Sequence, residues 1–239
     1  MRILAVETST RTGALALLEA GVVVAESRVN ITVTHGERLL AAIDGVLRAA
    51  RWQLADVMAF AVAIGPGSFT GLRIGLSTVK GLAFATGRPV VGVPTLDGLA
   101  WSLPFCAYPV CPMLDARKNE VYAAVYRTNE GRLEALEPAR AVAPATLAEE
   151  LRASMEGPIV FLGDGVEPFA PVLTDVLGGR ARLAPAALRL PSAATVGEIG
   201  GWALARGDAT DAAGLVPLYL RPSEAELARE RRQHAGHPS

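Results

Sequence analysis

The chain has 239 residues, 51% hydrophobic and 20% charged, which is enough apolar material for a sizeable core and the wrong balance for a disordered chain. Its 23 Lys and Arg against 24 Asp and Glu leave a net charge of -1, so no general electrostatic pull toward nucleic acid exists, although a local patch is compatible with that balance. No apolar stretch reaches the length of a membrane span.

The N-terminus, MRILAVETST, carries one arginine before a short apolar segment and then Glu7, and reads as a first strand, not a signal peptide. Arg2 to Glu7 suits a central strand. Gly13 to Leu18 and Val22 to Ser27 follow as a hairpin around a tight turn at Glu19 to Gly21. The period then changes: Leu39, Leu40, Ile43 and Leu47 recur at helical spacing within His35 to Ala50. Val57 to Ile64 is a buried strand, Thr70 to Ala85 a second helix, Arg88 to Val93 another strand, and TLDGLAWSL a short helix. Helical crossovers between apolar strands imply parallel neighbours, and the hairpin adds antiparallel pairing, so an α/β fold with a mixed sheet follows.

The second half repeats this order weakly. VCPMLDARKNEVYAAVY echoes RILAVETSTRTGALALL, with Asp115 in the place of Glu7. GRLEALE supplies a third strand, TLAEELRAS a helix in which Thr146 and Glu149 have capping-box spacing, and PIVFLGDG mirrors AFAVAIGPG before a helix from Val166 to Leu177. Two lobes of one architecture are expected, 1–103 and 104–222, meeting near Leu103-Pro104. Ser192 to Gly207 forms the last helix, VPLYLR closes the fold, and 223–239 is a charged tail containing Arg229, Arg231, Arg232, His234 and His237. Cys106 and Cys111 are the only cysteines; an extended chain between them holds them beyond disulfide reach, which suits a reducing, cytosolic setting.

GPGSFTG, Gly65 to Gly71, sits between strand and helix where phosphate loops occur, but its spacing satisfies neither the P-loop nor the dinucleotide pattern. Its glycines either expose amides to an anion or simply allow a sharp turn. Glu7 and Asp115, each ending a lobe's first strand, are candidates to flank a cleft and hold hydrated Mg²⁺ with phosphate, together with Gly65, Gly67, Gly163 and Gly165. No histidine or cysteine cluster has metal-ligand spacing, and no nucleophile elbow is present, so no catalytic and no metal residue is assigned. The helix GLRIGLSTVKGLAF carries only Arg73 and Lys80 as charges and lacks a broad polar face. Two readings remain open for it: a subunit interface or an internal helix between lobes.

The strings ILAVETST, HGERLLAAIDGVL, AVAIGPGSFTGLRIGLSTVKGLAFATGRPVVGVPTLDGL, LDARKNEVYAAVY, GDG and PLYLR, spanning Met1 to Arg221, resemble the bacterial TsaB (YeaZ) family. The resemblance implies the actin-like ATPase fold (ribonuclease H-like, of sugar kinase and Hsp70 type), with two lobes of mixed sheet and flanking helices. It implies a cytoplasmic, noncatalytic subunit in threonylcarbamoyladenosine formation at position 37 of tRNA. The implied partners are the catalytic paralogue TsaD, the ATPase TsaE and, through the complex, tRNA, with a homodimer when the partner is absent. No cofactor is implied for this chain; ATP or ADP and Mg²⁺ belong to the assembled complex. The paralogue's metal-binding HLEGH reads TLDGL here, with Thr95 and Leu99 in place of both histidines and Asp97 in place of the acid. Carried onto this sequence, the docking helices are 35–50 and 70–85, with Leu39, Leu40, Ile43, Leu72, Leu76, Val79 and Leu82 as expected contacts. A charge at Leu76 or Val79 is then expected to weaken assembly. The alternatives are an ATP-dependent small-molecule kinase on the same fold, using Glu7 and Asp115, and a glycopeptidase-like metallopeptidase.

Overall fold

Two five-stranded sheets are built with one strand order. The computed structural model describes residues 1–30, 36–129 and 131–221. The first sheet contains β1 (Arg2–Glu7), β2 (Thr12–Glu19), β3 (Val22–Asn30), β4 (Ala59–Gly65) and β5 (Val90–Pro94), arranged β3-β2-β1-β4-β5. The second contains β6 (Val110–Arg117), β7 (Glu120–Asn129), β8 (Arg132–Val142), β9 (Ile159–Leu162) and β10 (Ala181–Leu183), arranged β10-β9-β6-β7-β8. In each, the first three strands pair antiparallel and the last two join in parallel. The faint echo between halves is thus an architectural repeat, with β6 in the role of β1.

The helices are α1 (Gly36–Ala49), α2 (Phe69–Thr86), α3 (Thr95–Ala100), α4 (Pro144–Ser154), α5 (Val166–Leu177) and α6 (Ala193–Arg206). The strands dictate how these pack. Along β1, Leu4 and Val6 face the cluster shared with α1 and α2, and Ile3 and Ala5 face α6. The first face is lined by Leu, Val and Phe, the second largely by Ala, so α6 lies closer to the sheet. Gly200 marks that approach: a Cβ there would stand 2.6 Å from the Ala61 Cβ. Gly200→Leu is expected to destabilise the fold by roughly 2 kcal/mol or more through overpacking, read as a lowered midpoint in urea unfolding.

α6, placed with the second lobe by its sequence position, therefore packs on the first sheet. α3, which precedes Leu103-Pro104, contributes Leu96, Leu99 and Ala100 to a core against β6, β7 and Leu162 of β9. The lobes are consequently interleaved in sequence, because each sheet borrows a helix from across the expected boundary. α4 begins at Pro144 with Ala143 as its cap, so Thr146 lies inside the first turn and does not form the expected capping box. Both cysteines are free thiols. No helix among the described residues is long and apolar enough to cross a membrane. His35 and the tail lie outside the described residues.

Candidate functional site

Between the lobes lies a cleft of about 490 Å³. Its walls are the β1–β2 turn (Ser9 to Arg11), the start of α2 with the preceding Pro66 and Gly67, the end of β6 with the first residue of the turn that follows (Asp115 to Lys118), Tyr122, Asp164 and the segment Leu218–Arg221. That last segment spans the lobes. The Leu218 amide donates to the Ile64 carbonyl at 2.8 Å, Tyr219 stacks on Phe69 with centroids 5.0 Å apart, and Arg221 pairs with Glu120 on β7. Sequence reading placed this segment at the end of the fold without assigning it to a site; the signal available was its aromatic and cationic content.

The glycine-rich turn is explained by close packing. A Cβ on Gly67 would lie 2.4 Å from the Ser9 carbonyl oxygen, and one on Gly71 would lie 2.1 Å from that of Thr8. The backbone of α2 thus sits against the β1–β2 turn, and the Ser68 amide donates to the Ser9 carbonyl at 2.6 Å. In the second lobe a Cβ on Gly163 would meet the Met113 carbonyl oxygen at 1.9 Å. Both glycine turns do the same work, seating a helix start against the end of a lobe's first strand. Of the glycines proposed for anion contact, Gly67 lines the cleft, whereas Gly65, Gly163 and Gly165 are buried behind it.

The two acids part company. Asp115 lines the cleft; its backbone amide donates to Asp164 Oδ1 at 3.0 Å, and its carboxylate pairs with Arg117. Glu7 does not reach the cleft wall. It is 0% exposed, its Oε1 accepts from the Ser9 amide, and its Oε2 has no partner. Burial pushes its carboxyl up to about 7, against the pull of the Ser9 hydrogen bonds, with the nearby Asp164 charge adding to the rise. The expected pairing of Glu7 and Asp115 around a hydrated cation is corrected accordingly: β1 ends inside the protein, and Asp164 is the acid beside Asp115. Among the described residues, no three His, Cys, Asp or Glu side chains converge as a metal site.

TLDGL forms α3. Thr95 and Leu99 are buried, the Thr95 hydroxyl without a partner, and Asp97 accepts from the Tyr126 hydroxyl at 2.7 Å. Burial raises the Asp97 carboxyl, while that hydrogen bond opposes the rise.

α1 and α2 lie on one face of the first sheet. Leu72, Leu76, Val79 and Ala83, spaced at 4, 3 and 4, form the inner stripe of α2. Leu39 and Ile43 of α1 meet the same core. Five expected docking residues, Leu39, Ile43, Leu72, Leu76 and Val79, are therefore core side chains of this chain itself, because the sheet's large apolar face must be covered first. Leu82 packs at the edge of that core, and Leu40 is 49% exposed. The outer face of α2 carries Thr70, Arg73, Ser77, Gly81, Phe84 and Ala85, with Phe84 85% exposed. The enclosed-helix reading does not hold for α2, since this side faces solvent. Helical phase alone could have found Phe84, which stands opposite the 72, 76, 79 stripe.

A relative from Bacillus subtilis, tRNA threonylcarbamoyladenosine biosynthesis protein TsaB, is 34% identical over 95% of this chain and 96% of its own length. The chain belongs to the TsaB family. The TsaB of Escherichia coli is 35% identical over 69% of this chain and 72% of its own length. The solved YeaZ structure from Pseudomonas aeruginosa superposes with a TM-score of 0.77 at 31% identity, covering 92% of this chain and 99% of that one. A family model described as TsaD: tRNA N6-adenosine threonylcarbamoyltransferase matches residues 29–229 of this TsaB-family chain. The likeness to a ROK hexokinase from Thermus thermophilus, TM-score 0.52 at 13% identity over 87% of this chain and 100% of that one, shows the sugar-kinase type of two-lobed fold.

Proposed function

We propose that this chain is a noncatalytic, cytoplasmic subunit of the machinery that forms threonylcarbamoyladenosine at position 37 of tRNA, docking on TsaD with TsaE as the third component. The observation that carries the docking assignment is the outer face of α1 and α2, where Phe84 and Leu40 stand in solvent beside small residues. A helix face of Ser, Gly and Ala around one large aromatic admits a second helix closely, and an exposed aromatic is the usual anchor of such a contact. The same face would pair two copies when the partner is missing. The noncatalytic assignment is supported by TLDGL, whose Thr95 and Leu99 are buried in the core where the paralogue's pattern has histidines. ATP or ADP and Mg²⁺ are assigned to the assembled complex, not to this chain alone.

The test is a pull-down and titration of purified TsaD with the wild-type chain and with Phe84→Asp. Loss of an anchor of this kind weakens binding by about 30-fold, roughly 2 kcal/mol, while the unfolding midpoint stays near wild type because Phe84 contributes little to the core. Unchanged affinity would remove the outer face of α2 from the interface.

A further inference from the structure

We propose that the mouth of the inter-lobe cleft is a contact surface for the phosphodiester backbone of an RNA strand. This rests on the tRNA-modification reading above and adds a direct contact to it. The chain as a whole carries no excess of positive charge. Four cations nevertheless line the cleft from three separate segments: Arg11 on the β1–β2 turn, Arg117 and Lys118 where β6 turns into β7, and Arg221 on the crossing segment, with Arg117 paired to Asp115 and Arg221 to Glu120.

The backbone holds two of these cations in place at a conformational cost. Arg117, Lys118 and Asn119 have φ of 63°, 55° and 58°, three consecutive non-glycine residues in the left-handed region. L-residues avoid that region, and such runs persist where surrounding structure enforces them, commonly beside functional sites. Here the Asp115 carboxylate braces the turn by accepting from the Arg117 amide at 2.8 Å. Beside the cationic rim, Ser9 lines the cleft with almost no exposed surface. Tyr122 and Tyr219 add aromatic surface to the same wall.

The depth of the charges decides which phosphate fits. The Arg117 side chain is 66% exposed, and Asp115 beneath it is 33% exposed, with Asp164 hydrogen bonded to its amide. A polyphosphate sunk into the cleft would meet two carboxylates. A singly charged phosphodiester laid across the mouth meets the arginines first and leaves the acids below it. Cations and aromatic rings sharing one groove are the combination that tracks a single-stranded backbone.

The experiment is fluorescence anisotropy of a labelled tRNA transcript with the full-length chain, across a range of salt. The pair Arg11→Gln and Arg117→Gln together should lower the slope of log K against log salt by about 1.5, since each lost phosphate contact removes about 0.7 to 0.9. Arg11→Lys with Arg117→Lys keeps both charges and should hold the wild-type slope. Arg88→Gln is the control: that exposed side chain follows the far end of the 18-residue α2, about 27 Å from the helix start at the cleft. Absence of RNA binding by the wild type, equal slopes for all variants, or binding of ATP in place of RNA would each overturn the proposal. If any of these occurs while modification still requires the chain, only the direct contact falls.

Discussion

Leu76→Asp is expected to unfold this protein before it affects any partner. Leu76 is 5% exposed in the cluster that joins α1 and α2 to β1, β2 and β4, next to fully buried Val79. The substitution replaces two buried methyl groups with carboxylate oxygens and forces a charge into a core of apolar side chains. An uncompensated buried charge costs about 3–5 kcal/mol, and the lost methyl contacts add to it. That is a large share of the 5–15 kcal/mol typical of a folded protein. The predicted result is a melting temperature lower by roughly 10 °C or more, or an insoluble product. A variant that melts at the wild-type temperature would show that α2 is not seated as described. The contrast with Phe84→Asp, which should bind poorly and fold normally, separates the two faces of one helix.

The second large effect concerns Glu7. Its folded-state carboxyl is raised from the ordinary 4.5 to about 7, because burial disfavours the charged form. Between those values the folded chain holds a proton that the unfolded chain has released. Stability from this group is thus fully present below about pH 4.5 and is lost as pH rises toward 7 and beyond. The swing is about 3 kcal/mol. Glu7→Gln keeps the oxygen that accepts from the Ser9 amide and removes the ionisation. The difference in unfolding free energy between variant and wild type should therefore shift by about that amount in the variant's favour from pH 4.5 to 8. Asp97, also raised by burial, contributes a slope of the same sign in both proteins and cancels in the difference, which reports Glu7 together with its coupling to Asp164. Parallel pH profiles for the two proteins would contradict a buried Glu7 that holds its proton in the folded chain.

Much of the fold was legible because the chain signals it locally. Apolar runs such as Ala59–Gly65, the helical spacing of Leu39, Ile43 and Leu47, and the glycine turns each mark an element and its ends. What stayed hidden were relations between distant segments. Nothing local in Ser192 to Gly207 says that α6 returns to the first sheet; the clue is complementary, small residues on the helix matched to alanines on one sheet face. Glu7 and Asp115 look equivalent by position, yet only the tertiary structure shows one sealed inside and the other open to the cleft. The docking residues were sought among the largest apolar side chains of α2, and those are the ones a sheet buries first. An exposed Phe84 among Ser77, Gly81 and Ala85 was readable only after the inner stripe was phased.

The proposed role of this polypeptide, a support without chemistry of its own, is tested most directly by measuring threonylcarbamoyladenosine in tRNA from a purified system. With the adenylate donor, TsaD and TsaE present, product should form when the wild-type chain is added, fall steeply with Phe84→Asp, and be absent when the chain is the sole protein. Product formed by this chain alone, or undiminished yield when it is left out, would contradict the account.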